Sequence, residues 1–170
     1  MRILFASALV AASPLAALPA AALAQDLPAA WSVDTPRDAP ATLVYGPPAA
    51  PQLGFACVRK SGQVSVRLLV PRKVADHQVG SVWVDAAGVA APWPVSVAFA
   101  SGGSTSTLRG QADAGSAPEV TAVNTEITTI APVIGAFRKT GAISLTALHE
   151  TLAPPAAKPG MVRKFLGVCR

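Results

Sequence analysis

Charged residues make up only 14% of this 170-residue chain, and aromatic residues only 5%. With so few aromatic side chains, a buried core has to be built mainly from Val, Leu, Ile and Ala. Grooves that bind single-stranded nucleic acid combine basic and aromatic side chains, and no segment of this sequence interleaves them. The composition therefore argues against a nucleic-acid partner, although the net charge is +5.

Long apolar stretches are also lacking, except at the N-terminus. Arg2 precedes an apolar run at residues 3–12, and residues 22–24 (Ala-Leu-Ala) form the small-x-small pattern that signal peptidases cut. The run is about half as long as the roughly 20 residues that cross a bilayer, and two prolines follow it. We therefore expect a signal peptide at residues 1–24, cleaved near Ala24, and no transmembrane segment in the mature chain.

The mature chain is expected to be periplasmic or secreted, with 146 residues and a net charge of +4. That length suits one domain with its own core and is short for two. The Pro- and Ala-rich residues 25–40 predict an irregular N-terminal segment, anchored by Trp31 and Val33. Residues 41–170 are expected to form a single β-rich domain.

Only two cysteines are present, Cys57 and Cys169, and both lie in the part expected to be exported. An even number of cysteines in an oxidising compartment predicts a disulfide. Closing so long a loop removes about 4–5 kcal/mol of chain entropy from the unfolded state. A metal pair or a reactive thiol is the alternative, but neither cysteine has a Cys or His partner at zinc-ligand spacing. No metal site or cofactor is predicted.

Alternating apolar and polar residues predict strands over most of the mature chain. The best hairpin joins residues 53–59 to residues 64–68 through a Lys-Ser-Gly turn. A polar loop is expected at residues 110–118. The other predicted strands are residues 42–45, 79–84, 95–99, 105–108 and 142–148.

Two short helices are predicted in the C-terminal third. Pro132 suits a first helical turn and Gly141 suits the position after a helix, which predicts a helix near 132–140. Apolar residues at helical spacing, ending with Cys169 on the buried face, predict a second helix near 160–169. The fold class is therefore mainly β (α+β), as a small antiparallel β-sandwich or open barrel.

The chain resembles a family of small, exported, uncharacterised proteins of proteobacterial type. The similarity rests on five short motifs: Trp31 after the signal, the Leu43–Gly46 strand (LVYG), the Phe55–Cys57 strand, the Pro132 helix and the Arg163–Cys169 helix. The family has no established activity or catalytic residues to transfer. The resemblance implies a compact domain in which the two cysteines are paired.

The only side chains suited to proton transfer near neutral pH are His77 and His149. No Gly-x-Ser-x-Gly elbow identifies a nucleophile for either of them. A small envelope-directed hydrolase using His149 or His77 is therefore the alternative hypothesis, and the leading hypothesis is non-catalytic.

Four basic doublets are the most unusual surface feature of the sequence. They are Arg59-Lys60, Arg72-Lys73, Arg138-Lys139 and Arg163-Lys164. A patch of such residues, with an exposed tryptophan beside it, could bind an anionic partner. The simpler interpretation is that these charges end strands and helices and keep them soluble.

The leading hypothesis is an exported binding or structural accessory domain of the cell envelope. Its partner would be an envelope polymer or another exported protein. A third class, an inhibitor or immunity-type partner, would require one flat, exposed apolar patch. The candidate binding residues are Arg59, Lys60, Arg138, Lys139, Arg163 and Lys164.

Overall fold

The computed structural model describes residues 29–48, 50–115 and 119–170, so the predicted signal peptide lies outside the described residues. The fold is mainly β, as predicted, and consists of a curled half-barrel sheet with two short helices. Of the two predicted architectures, the open barrel is therefore the one found.

The elements follow one another in chain order with short connections. The strands are β1 (Ala30–Asp34), β2 (Ala41–Gly46), β3 (Leu53–Cys57), β4 (Gln63–Val70), β5 (His77–Val79), β6 (Val82–Val84), β7 (Trp93–Ser101), β8 (Ser104–Ala114), β9 (Thr121–Thr128), β10 (Ser144–Ala147) and β11 (Glu150–Leu152). The helices are α1 (Pro132–Thr140) and α2 (Pro159–Cys169). Both predicted helices are confirmed.

The nine-stranded sheet has the order β1-β2-β3-β4-β9-β8-β7-β10-β11, and every neighbouring pair is antiparallel. The sheet contains two antiparallel meanders, β1–β4 and β7–β9. The pairing of β9 with β4 joins them into one sheet. The predicted hairpin of β3 and β4 is confirmed. The β5–β6 hairpin forms a separate two-stranded sheet.

Several local predictions differ from the structure. The segment 25–40, expected to be irregular, contains β1, because pairing with β2 overrides the weak strand propensity of its sequence. The run 79–84, expected to be one strand, is divided by a turn at Gly80 with φ 65°. The loop expected at 110–118 begins as strand, since β8 continues to Ala114 beside β9.

Strands β9 and β11 had no clear signal in the sequence. Thr121, Ala122 and Val123 at the start of β9 are all buried, so apolar and polar residues do not alternate there. Strands in the middle of a sheet can be buried on both faces, which hides their period. β11 is only three residues long and forms one edge of the sheet.

Both helices pack against the same face of the sheet and complete a single core. Their buried residues are Val133, Ile134 and Phe137 in α1, and Val162, Phe165, Leu166 and Cys169 in α2. These side chains join the inward-facing residues of the strands in one hydrophobic cluster. Among the residues that the structure describes, no helix has the length and apolar character needed to span a bilayer.

Trp31 fastens the edge strand β1 to this core. Its ring centroid lies 5.4 Å from that of Tyr45 and 6.0 Å from that of Phe137 in α1. Its indole Nε1–H donates a 2.6 Å hydrogen bond to the Pro155 carbonyl in the segment before α2. The anchoring role predicted for Trp31 is therefore confirmed.

The predicted disulfide between Cys57 and Cys169 is present and joins β3 to the last turn of α2. The turn after β3 also caps this helix. The Lys60 N–H donates to the Val168 carbonyl at 3.0 Å, and the Gly62 N–H donates to the Cys169 carbonyl at 2.8 Å. Two carbonyls at the end of α2, where no intrahelical donor remains, are thereby satisfied.

Gly141 connects α1 to the segment that leads into α2. It ends α1 with φ 72°, and its N–H donates to the Phe137 carbonyl at 2.8 Å. Its own carbonyl accepts a 2.8 Å hydrogen bond from the Ala157 N–H. A Cβ at this position would collide with the Ala157 carbonyl oxygen. Both the backbone conformation and the close approach therefore require glycine.

Replacing both Cys57 and Cys169 by Ala is expected to lower the free energy of unfolding by about 2–5 kcal/mol. The bridge closes a sequence separation of 112 residues, so its loss gives the unfolded chain much more freedom. Urea denaturation of the oxidised parent and the double variant measures the difference. Equal midpoints would contradict a stabilising role for the bridge.

The Gly141→Ala variant is expected to lose more than about 1 kcal/mol of stability, because alanine is strained at positive φ. Gly135 in the middle of α1 is the matched control. A Cβ at Gly135 would have no neighbouring atom within 4 Å, so Gly135→Ala should gain roughly 0.5–1 kcal/mol through helix propensity. Thermal denaturation followed by circular dichroism tests both variants, and an undiminished stability of Gly141→Ala would contradict the requirement for glycine.

Candidate functional site

The face of the sheet that points away from the helices carries the candidate site, and we call it the open face. A groove of about 1040 Å³ crosses it from β2 to β7, over six neighbouring strands. The alternation that buries every second residue under the helices directs the intervening side chains to this face. The side chains that line the groove are therefore those of the residues between the buried positions of these strands.

The strand register places a first row of side chains across the groove. Gly54 in β3 lies opposite Arg67 in β4, Arg67 lies opposite Asn124 in β9, and Asn124 lies opposite Gln111 in β8. Directly opposed residues in antiparallel strands have Cβ atoms about 4.5–5.5 Å apart. One guanidinium and two carboxamides are thus immediate neighbours.

A second row lies two residues further along the strands. Ser65 in β4 is opposite Glu126 in β9, and Arg109 in β8 is opposite Ser96 in β7. The β8–β9 ladder ends with the pair of Gly110 and Thr125, which are the chain neighbours of Arg109 and Glu126. A carboxylate therefore stands in the strand between the two that carry Arg67 and Arg109.

The charges of the open face are exposed and are not neutralised by close ion pairs. Arg67, Arg109 and Glu126 are all exposed to solvent. Within the described part of the chain, the one close contact between a carboxylate and a basic side chain joins Asp76 to His77, at 3.0 Å. The two guanidinium groups therefore keep their hydrogen-bond donors available to a ligand.

The β2–β3 end of the groove is apolar and has an open floor. Val44 and Pro51 line it beside Gly54. A Cβ built on Gly54 meets only the Val44 Cγ1 atom, at an ordinary contact distance of 3.7 Å. A Cβ at Gly54 would therefore fit at the floor of the groove without straining the strand.

The candidate basic residues from the sequence lie elsewhere on the molecule. Arg59 donates to the Thr35 carbonyl at 3.0 Å and to the Pro36 carbonyl at 2.6 Å, which ties the loop after β1 to the turn after β3. Lys60 lies in that turn with φ 58°, next to the C-terminal end of α2. None of these residues lines the groove.

The remaining doublets belong to helices and a bend. Arg138 and Lys139 are exposed in the last turn of α1, where positive charge favours the helix dipole. The other two pairs are also exposed, and Arg72 donates to the Leu148 carbonyl at 3.1 Å. Arg163 and Lys164 lie in the middle of α2, before the end that the bridge brings to Lys60. The structure thus places the four doublets on four different segments, none of which lines the groove.

The expected exposed tryptophan is not found. Trp93 is buried and donates through Nε1 to the Val89 carbonyl at 2.9 Å, while Trp31 and Trp83 are half-buried against the core. With so few aromatic residues in the chain, the core uses all three indole rings. The open-face groove has no tryptophan in its lining.

The two histidines lie on different hairpins. The His77 Nδ1 atom is 3.0 Å from the Asp76 Oδ2 atom, on the exposed β5–β6 hairpin. His149 lies in the β10–β11 turn with φ 67° and lines a cavity of about 400 Å³ together with Ser96 and Thr146. Ser96 also lines the open-face groove, so this cavity adjoins the groove at its β7 end.

Sequence reasoning missed Arg67 and Arg109 because each is a single basic residue and not part of a doublet. The signal that identifies them is their position in the alternating pattern of apolar and polar residues along each strand. Each falls in the polar half of an alternating strand, with Ser65 two residues from Arg67 and Gln111 two residues from Arg109. Placing them in one groove also requires the order of the strands, which this pattern alone does not give.

No family model, curated protein or solved structure matches the chain. Within the described residues, no three His, Cys, Asp or Glu side chains cluster as metal ligands would. The chemistry of the open face is therefore the basis for assigning a function.

Proposed function

We propose that this protein is an exported, non-catalytic binding domain of the cell envelope that binds an acidic envelope polymer in the open-face groove. The observation that supports this function is the placement of Arg67 and Arg109 in one groove without carboxylate partners at ion-pair distance in the described chain. Guanidinium groups bind carboxylates and phosphates through paired N–H donors.

Export beyond the cytoplasm is part of the proposal. The disulfide is consistent with a periplasmic or extracellular location, where such bonds persist. The N-terminal pattern of residues 1–24 agrees with removal of a signal peptide.

The exposure of the two arginines determines how binding should depend on salt. Charges on an open surface are screened over about 8 Å at physiological ionic strength, so the attraction should weaken steeply as salt increases. The apolar floor near Val44 and Gly54 supplies contacts that do not depend on salt. Together these regions suit a ligand with both charged and uncharged parts.

The double variant Arg67→Ala/Arg109→Ala should lose roughly tenfold to 100-fold in affinity for purified envelope polymer, because two charge-assisted contacts are removed. The control is Arg163→Ala/Lys164→Ala, which removes the same charge from exposed positions in α2. Sedimentation with the polymer at low and high salt measures both. Equal losses of affinity in the two variants would show that binding depends only on net charge. That result would contradict binding in the groove.

A second variant, Gly54→Trp, tests the groove without changing any charge. Its side chain should fill the floor beside Val44 and weaken polymer binding at least about tenfold, since shape complementarity is lost. Circular dichroism should show a folded protein, because the added Cβ makes only ordinary contact. Full binding by folded Gly54→Trp would place the ligand elsewhere.

A small envelope-directed hydrolase is the second candidate, favoured by the cavity that His149 shares with Ser96 and Thr146. In that case His149→Ala and Ser96→Ala should each lower turnover by about 100-fold or more, as for a general base and its nucleophile. His77→Ala is the control and should leave turnover unchanged. Release of soluble fragments from envelope material is the assay, and an undiminished rate in His149→Ala would exclude that residue.

A further inference from the structure

We infer that the polymer bound in the open-face groove is an acidic glycan in which charged sugars alternate with neutral ones. This inference rests on the proposed function and specifies its ligand. Three features of the groove support it: the separation of Arg67 and Arg109, the carboxylate of Glu126 between their strands, and the neighbouring carboxamides of Asn124 and Gln111.

The separation of the two arginines suits a ligand whose charges are widely spaced. Arg67 and Arg109 lie two strands apart and in neighbouring rows. With strands about 4.8 Å apart and residues about 3.4 Å apart along each strand, their Cβ atoms are roughly 12 Å apart. A chain with one acidic group per pair of sugars repeats on that scale and can contact both guanidinium groups.

Glu126 disfavours a ligand that is charged at every unit. It lies opposite Ser65 in β4, and its neighbour Thr125 is paired with Gly110, the residue that follows Arg109 in β8. A ligand anion placed there would face a carboxylate at contact distance, and like charges repel even on a surface. A sugar hydroxyl placed there would instead donate a hydrogen bond to the carboxylate.

Asn124 and Gln111, in the first row of side chains, also favour neutral groups of the ligand over anionic ones. Each carboxamide offers both donors and an acceptor, and the two residues are directly paired across β9 and β8. Neutral hydroxyl or acetamido groups match these requirements, whereas an anion uses only the donors. The neutral sugar is therefore expected to lie between the arginines.

The size of the groove favours an oligomer over a single sugar. It crosses six strands from β2 to β7, which corresponds to roughly 24 Å at the usual strand spacing. Several sugar units are needed to span that length. Affinity should therefore increase with oligomer length until the groove is filled.

The probes are hyaluronan oligosaccharides, which alternate glucuronate with N-acetylglucosamine, and oligogalacturonates, in which every sugar is charged. Isothermal titration at fixed ionic strength should show tighter binding of a hyaluronan octasaccharide than of a galacturonate octamer by about fivefold, the effect of one surface like-charge contact. The hyaluronan tetrasaccharide should bind more weakly than the octasaccharide.

The variant Glu126→Gln should remove most of this preference by improving galacturonate binding. Glu150→Gln is the matched control, because Glu150 is an exposed carboxylate on β11 that does not line the groove. It removes the same charge and should leave the preference unchanged. An equal change in both variants would overturn the role of Glu126.

The outcomes separate the two levels of the proposal. Tighter binding of the galacturonate octamer, still lost in Arg67→Ala/Arg109→Ala, would overturn the alternating glycan and leave the proposed function standing. Binding of hyaluronan and of purified envelope polymer that is unaffected by that double variant would overturn the proposed function itself. A preference for hyaluronan that disappears in Glu126→Gln would support both.

Discussion

The packing of two short helices against one face of a curled sheet is the constraint on which the rest of the structure depends. The sheet has two faces, and a nine-stranded antiparallel sheet is stable only if one of them is buried. α1 and α2 bury that face, and the Cys57–Cys169 bridge holds the end of α2 against β3. Because the helices occupy one side, the opposite side remains available as the open face.

The same constraint gives a few connecting positions their importance. Gly141 lets the chain pass from α1 to within hydrogen-bond distance of Ala157, and Trp31 links β1 to the segment that precedes α2. The Gly141 contact joins the end of α1 to the segment before α2, and the Trp31 contact joins segments that are 124 residues apart. Their effect on the open face is indirect, since they act on the helical side of the sheet.

The charged side chains of the open face contribute little to the stability of the fold. They are therefore available to contact a ligand. The charged side chains of this face are exposed, and within the described residues none of them forms an ion pair, so they add little to folding. Arg59, by contrast, is held by two backbone carbonyls and connects two loops. Basic residues that look alike in the sequence thus have different roles. The hydrogen-bond partners of each residue in the structure distinguish these roles.

Local chemistry in the sequence was sufficient to predict both helices, from Pro132 and Gly141 in one and the apolar stripe ending at Cys169 in the other. It also predicted the hairpin of β3 and β4, because alternation and turn residues act over a few positions. The order of the strands, the burial of β9 and the meeting of Arg67 with Arg109 in one groove came from the tertiary structure alone. These features depend on pairing between segments that are distant along the chain, which the local pattern of residue types does not specify.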